Sequence, residues 1–237
     1  LGTYFMAEHA FIDPDTGYEY IYEINQDLFN ETGVIEKTGE TILATPAATQ
    51  QNRVELEGKS GLPTYFGGFQ NSFAYKGLEL TVFLSFQGGN YLYDGNRFEV
   101  SGGSNFRADL EDRVWTTDNP NAELPRQSYL NRTRENEPIA RPGSTSLYLQ
   151  DGSFIRLRNI QLSYTLPQSL LSKAKIKNGR VYVNATNLLT FTGYDGYDPE
   201  VARFDGNSQN RNLLQGFVGG NPFPQLKTIT GGVSFTF

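Results

Sequence analysis

Cysteine is absent from the 237 residues, His and Trp occur once each, and 20 Lys and Arg are outnumbered by 26 Asp and Glu for a net charge of −6. Each shortage excludes a chemistry. Without thiols there is no disulfide framework, thiolate nucleophile, zinc ribbon or iron–sulfur ligation. His9 alone cannot build a multi-histidine metal site, and any triad using an imidazole would have to use it. An acidic chain lacks the surplus of Lys and Arg that phosphate neutralisation needs, so nucleic acid is not an expected partner. No apolar run approaches the roughly 18 residues of a membrane-spanning helix. Leu1 is not an initiator Met and no leader follows it, so the sequence is expected to be a processed chain or a piece of something longer.

What the sequence has instead is aromatics and glycine: 17 Phe, 14 Tyr and 25 Gly, against only 38% hydrophobic residues. Globular domains carry about 45–50%. The informative pattern is alternation. Leu78, Leu80, Val82, Leu84 and Phe86 share one parity, with Glu79, Thr81, Phe83 and Ser85 between them. Tyr65 to Tyr75 precedes them, separated by Lys76 and Gly77 alone, the two-residue connection of a tight hairpin. Val181, Val183, Ala185, Leu189 and Phe191 form a third face, Ile229, Val233, Phe235 and Phe237 a fourth, and Ile160, Leu162 and Tyr164 end a fifth strand that starts near Phe154. Thr3 to Ile12 is a weaker sixth. Strands of this length exceed the ~5–6 residues of soluble sheets and suit the ~9–11 needed to cross a bilayer with tilt.

The connections fall into two classes. Those after Tyr75 and after Leu166 are short, whereas Asp13 to Pro63, Gly88 to Asp151 and Thr192 to Gln225 are long and rich in Gly, Asn, Asp and Pro. Short periplasmic turns alternating with long extracellular loops are the asymmetry of an outer-membrane barrel. A soluble surface β-sandwich used as a binding module shows similar alternation. The aromatics near strand ends, at Tyr65, Phe73, Tyr75, Tyr164 and Phe191, favour the barrel, whose interfaces carry aromatic girdles. Six strands cannot close a transmembrane barrel, which takes at least eight, so a larger barrel with this chain as its C-terminal portion is the expectation.

Four segments then carry a resemblance: TYFGGFQNSFAYKGLELTVFLSFQGG (Thr64 to Gly89), DGSFIRLRNIQLSYTLP (Asp151 to Pro167), RVYVNATNLLTFTGYDGYDPE (Arg180 to Glu200) and GGVSFTF (Gly231 to Phe237). Together with the opening LGTYF and DPDTG, this ordered set resembles the C-terminal barrel region of the SusC/RagA family, TonB-linked outer-membrane nutrient transporters of Bacteroidetes. The resemblance implies an all-β fold: a transmembrane antiparallel β-barrel of the plugged, 22-stranded class, with residues 1–237 supplying about six strands. It implies import of an oligosaccharide, or in the RagA manner a peptide, with a SusD-like surface lipoprotein outside and TonB coupling through the missing N-terminal part. It implies no enzyme and no cofactor, and it marks Phe237 as a barrel-insertion signal. The plug domain and TonB box have no counterpart here, so gating maps to no residue.

Candidate ligand contacts are Arg107, Trp115, Tyr129, Tyr194, Tyr197 and Asp198 in the long loops, aromatic and polar groups able to stack on a sugar ring or grip a peptide backbone. Glycan is the expected cargo, since these loops show no apolar pockets for peptide side chains. Asp195, Asp198 and Glu200 have the makings of a glycosidase carboxylate pair, but read as a loop feature. Asp13 to Gly17 lacks the later Gly and Glu of a calcium loop and reads as an Asx turn, so no metal is expected. Arg156 and Arg158 share the parity of Ile160 and Leu162, which points them at lipid; the expectation is that they lie beyond the membrane on an extracellular strand extension. The segment Pro167 to Lys177 reads as a periplasmic turn or small helix.

Overall fold

The computed structural model describes residues 2–95, 108–126, 145–200, 216–218 and 223–237. In chain order its strands are β1 (Thr3–Ala7), β2 (His9–Ile12), β3 (Glu19–Ile24), β4 (Lys37–Leu43), β5 (Arg53–Ser60), β6 (Tyr65–Tyr75), β7 (Leu78–Gly88), β8 (Tyr91–Asp94), β9 (Leu149–Asp151), β10 (Phe154–Thr165), β11 (Asn178–Thr192), β12 (Phe217–Val218) and β13 (Thr228–Thr236). Two compact units divide the chain. One comprises Leu1–Leu62, Tyr91–Gln150 and Ala202–Pro222, the other Pro63–Asn90, Asp151–Val201 and Phe223–Phe237.

The second unit is an antiparallel sheet in the order β13-β11-β10-β7-β6. Lys76 and Gly77 turn β6 into β7 with φ of 47° and 85°, the doubly left-handed conformation of a primed two-residue hairpin. At the same end, β10 passes to β11 through a single helical turn, Gln168–Leu171, and a 3-10 turn, Ser172–Ala174. The Lys177 amide donates to the Thr236 carbonyl at 2.7 Å, so β13 also finishes there. The long connections leave from the opposite end. β7 has 11 residues, about 36 Å of extended chain, which at a tilt of ~45° covers the ~25 Å apolar band of an outer membrane.

Residues paired directly across antiparallel strands share a face, so the registers sort the side chains. One face carries Phe69, Phe73 and Tyr75 of β6 and Leu78, Leu80, Val82, Leu84 and Phe86 of β7. β10 adds Ile155, Leu157, Ile160, Leu162 and Tyr164; β11 and β13 add Val181, Val183, Leu189, Phe191, Ile229, Val233 and Phe235. No paired position on this face holds a charge. The other face is mostly polar, with Glu79, Thr81, Ser85, Gln87, Arg156, Asn159, Gln161, Ser163, Arg180, Asn184, Thr186, Thr230 and Ser234, and Phe66, Phe83, Phe154 and Tyr182 set among them. The apolar face is bare: Phe69 is 57% exposed, Phe191 63% and Ile229 71%. In water each such side chain forfeits roughly 1.5–3 kcal/mol of burial; in hydrocarbon nothing is lost.

The parity that would point Arg156 at lipid does not hold. The register steps between Leu157 and Asn159 in both pairings of β10; against β7 this leaves Arg158 as the extra residue of a β-bulge, and against β11 the extra residue is on β11. Across the step the parity inverts, so Ile155 and Leu157 join Ile160 and Leu162 on the apolar face while Arg156 turns to the polar one. On β11 the compensating irregularity sits at Asn187, whose φ is 51°. Strict alternation missed this because it assumes one residue per step.

Glycine and aromatics are coupled. Phe86 faces Gly67, Tyr65 faces Gly88, Phe235 faces Gly179 and Tyr182 faces Gly232 across the ladders. A Cβ at Gly67, Gly88 or Gly232 would lie inside the facing ring, at 2.8, 2.2 and 2.5 Å respectively. Rings lie flat over bare backbone, the device that rescues glycine in a strand, and it explains a composition rich in both. Gly232→Val is expected to displace Tyr182 and lower the apparent Tm of the detergent-solubilised receptor, whereas the same change at Gly231, whose Cβ would meet only the Tyr182 carbonyl oxygen at 3.8 Å, is expected to be near neutral.

The first unit is built as water-soluble proteins are. Met6, Ile24, Val54, Leu56, Tyr93, Val114, Leu124 and Tyr148 form one buried cluster and Ala7, Ile21, Ala44 and Ala48 another. Its sheets are β1-β5, β2-β3-β4 and β12-β8-β9. Here the sixth expected strand is corrected: Thr3 to Ile12 breaks at Glu8 into β1, which pairs with β5, and β2, which pairs with β3. Met6 and Ala7 are buried at consecutive positions, which a strand with one wet face does not do. Five long strands therefore make the membrane-type sheet.

Candidate functional site

The polar face of the sheet and the loop it anchors form the candidate site. Near the short-turn end, Arg180 Nη2 donates to Glu79 Oε2 at 2.9 Å and to Ser163 Oγ at 2.7 Å. These charges lie among Thr, Ser, Asn and Gln, the lining of a wet lumen.

Toward the long-loop end lies a tighter arrangement. The β10 bulge places Arg156 on the polar face, where it is 2% exposed. Its Nη2 lies 2.5 Å from Asp198 Oδ1 and its Nη1 3.0 Å from Glu200 Oε2. Arg158, the bulged residue, pairs with Glu200 Oε1 and donates from Nε to Ser85 Oγ at 2.8 Å. Asp198 also accepts the Glu200 amide through Oδ1 and the Gln225 amide through Oδ2, each at 2.9 Å. Burial pushes the Asp198 carboxyl up, but the hydrogen bonds from Arg156, Gln225 and Glu200 and the Arg156 charge outweigh it, leaving the group below its ordinary value. One carboxylate thus ties the outgoing arm of the loop, through its own position, and the returning arm, through Gln225, to β10. A carboxylate held ionised in this way is a poor general acid at neutral pH. Sequence reasoning named Asp198 and Glu200 but not their partners; the bulge hid them.

The other expected contacts divide between the units. Tyr194, Tyr197 and Asp198 share the loop after β11. Tyr194 is 5% exposed and its ring covers Gly196, while Tyr197 is 65% exposed. Trp115 belongs to the first unit, where its Nε1 donates to the Pro14 carbonyl at 2.9 Å, its ring lies against Gly17, and the Arg126 guanidinium sits 5.7 Å from its centre. Asp13 Oδ1 accepts the Asp15 amide at 3.1 Å and Oδ2 bonds the Thr16 hydroxyl, the expected Asx turn, with Gly17 at φ 74°. Arg107 and Tyr129 lie outside the described residues. Phe237 follows β13 on the apolar parity and is 76% exposed.

A long-stranded antiparallel sheet with one uncharged apolar face and one mostly polar face has the side-chain pattern that outer-membrane-type β-barrels use. No family model matches the chain. It is 34% identical over 176 residues to TonB-dependent receptor P3 of Formosa agariphila, covering 74% of this chain and 16% of that receptor. It is 32% identical over 181 residues to TonB-dependent receptor P26 of the same organism, covering 75% and 17%. Among solved structures it is similar to the RagAB peptide transporter, with 27% identity, a TM-score of 0.68 and coverage of 99% of this chain and 23% of that one. The RagAB peptide importer in its open-open state gives 26%, 0.68, 99% and 22%. The chain belongs to the SusC/RagA family of TonB-dependent receptors and spans 14% to 17% of the length of the curated relatives it matches. The curated relatives are TonB-dependent receptors and the similar solved structures are of a peptide transporter.

Proposed function

We propose that this chain is the C-terminal wall of a plugged, 22-stranded outer-membrane importer, driven through TonB by the rest of the receptor and working with a SusD-like surface lipoprotein. The observation that carries the reading is the two-faced sheet: lipid-compatible on one side, water-compatible on the other, with short turns at one end and long loops at the other. The insertion signal is Phe237, and Phe237→Asp lowers the amount of folded receptor in the outer membrane.

For the cargo, peptide is preferred to oligosaccharide. Stacking on a sugar needs open aromatic faces, yet Tyr194 is buried and the Trp115 ring lies against Gly17 and Arg126. Tyr197 is 65% exposed, and the similar solved structures are of a peptide transporter. Cells carrying the receptor should deplete a mixed peptide pool and leave neutral oligosaccharides, with Tyr197→Ala slowing uptake a few-fold at unchanged receptor levels. Depletion of oligosaccharides alone refutes the peptide reading, and retention of the receptor in the membrane without any uptake refutes the importer.

A further inference from the structure

The first unit contains an open groove of about 790 Å³, lined by Val54, Glu55, Leu56, Glu57 and Lys59 of β5, by Glu8, Gly33, Ile35 and Lys37, and by Ser146 and Leu149. Four consecutive strand residues line it, so it runs along the edge of β5 and not over one face. Among the described residues β5 pairs only with β1, so the edge away from β1 carries no strand there. Unladdered N–H and C=O groups are a template for another strand.

The side chains say which strand. Val54 and Leu56 point into the buried cluster and give the groove an apolar floor. Both cations of the lining have partners in the protein: Lys37 binds Glu8 at 2.6 Å, and Lys59 sits 3.8 Å from the centre of the Tyr91 ring. Glu55 and Glu57 are exposed and have no ion pair or hydrogen bond from any described side chain. Two positions apart on one strand, they are separated by about 6.6 Å, the repeat of same-side residues on an added strand.

We propose that this groove binds an extended peptide with basic side chains at alternate positions, which adds to the free edge of β5 and places its two cations against Glu55 and Glu57. An oligosaccharide has no main-chain ladder to offer. The inference rests on the peptide reading only in supposing that peptides are what the receptor meets.

The test uses the full receptor in detergent and a fluorescein-labelled acetyl-Val-Lys-Val-Lys-Val-amide, read by anisotropy. Saturable binding is expected, weakened roughly tenfold in the Glu55→Gln, Glu57→Gln double variant, the sum of two exposed ion pairs. The same peptide with N-methylated backbone, and a version with Glu in place of Lys, should not bind. Equal binding by the double variant, or by the N-methylated peptide, overturns the proposal. So does failure of a membrane-impermeant maleimide to label Glu57→Cys in the intact receptor, because the edge would then be covered by the rest of the receptor. Peptide uptake by cells without probe binding sinks this site alone; probe binding with oligosaccharide uptake sinks the peptide-import reading and leaves the site.

Discussion

Deleting Arg158 empties the outer membrane of the receptor, whereas Arg158→Ala leaves it largely in place. The deletion removes the extra residue of the β10 bulge, and a one-residue slip sends every side chain beyond it to the other face. Ile155 and Leu157 would turn to the lumen and Arg156 to lipid. An arginine on the lipid face costs about 2–4 kcal/mol at the midplane and less toward the interface. Leaving Asp198 without its guanidinium adds about 3–5 kcal/mol, the usual cost of breaking a buried pair. Together these approach the whole stability of a typical domain. The alanine variant keeps the register and loses only the pair with Glu200 and the bond to Ser85. Quantitative blotting of outer-membrane fractions separates the two. Equal depletion of both would show that the Arg158 side chain matters and the bulge does not.

Asp198→Ala has the second large effect, loss of about 3–5 kcal/mol by leaving the Arg156 guanidinium buried without its main counter-charge. Arg156→Met combined with Asp198→Leu is expected to recover most of it, because a matched apolar pair leaves no ion uncompensated. The pair also sets a pH dependence. The native Asp198 carboxyl titrates below its ordinary 3.8, so its contribution is fully present above that value and is lost as pH falls through the lower native pKa. Thermal unfolding of the solubilised receptor at pH 7 and at pH 3 reads this: the difference between parent and Asp198→Ala should shrink at the acid end. A constant difference would mean that Asp198 acts through packing alone.

Most of the membrane sheet was legible in the sequence because a half-wet strand has a period of two and nothing else in the chain imitates it over ten residues. Leu78 to Phe86 announces its face, and Lys76-Gly77 announces its hairpin, from neighbours alone. Arg156 was given the wrong parity because a bulge leaves no mark in residue type: Arg158 is as polar as many residues on the wet face, and only its pairing with β7 shows it to be extra. Thr3 to Ile12 was misplaced for the opposite reason, since β1 and β2 are short and bury consecutive residues in a packed core. Among the expected ligand contacts, residue type marked Trp115, Tyr194 and Asp198 as chemically capable, but capability does not report exposure: Tyr194 and Asp198 are buried.

An all-β chain, long strands with one apolar and one mostly polar face, and alternating short and long connections were all readable from residue order alone. Those are local properties, carried by side-chain alternation and turn chemistry within a dozen residues. The register and the packing settled the rest: which parity Arg156 adopts, which carboxylates hold it, which aromatic rings lie over which glycines, and that among the described residues β5 pairs on one side only, beside the exposed Glu55 and Glu57. Each of these depends on residues dozens of positions apart meeting in one register, and the free energy that selects that register belongs to the whole sheet and not to any stretch of sequence within it.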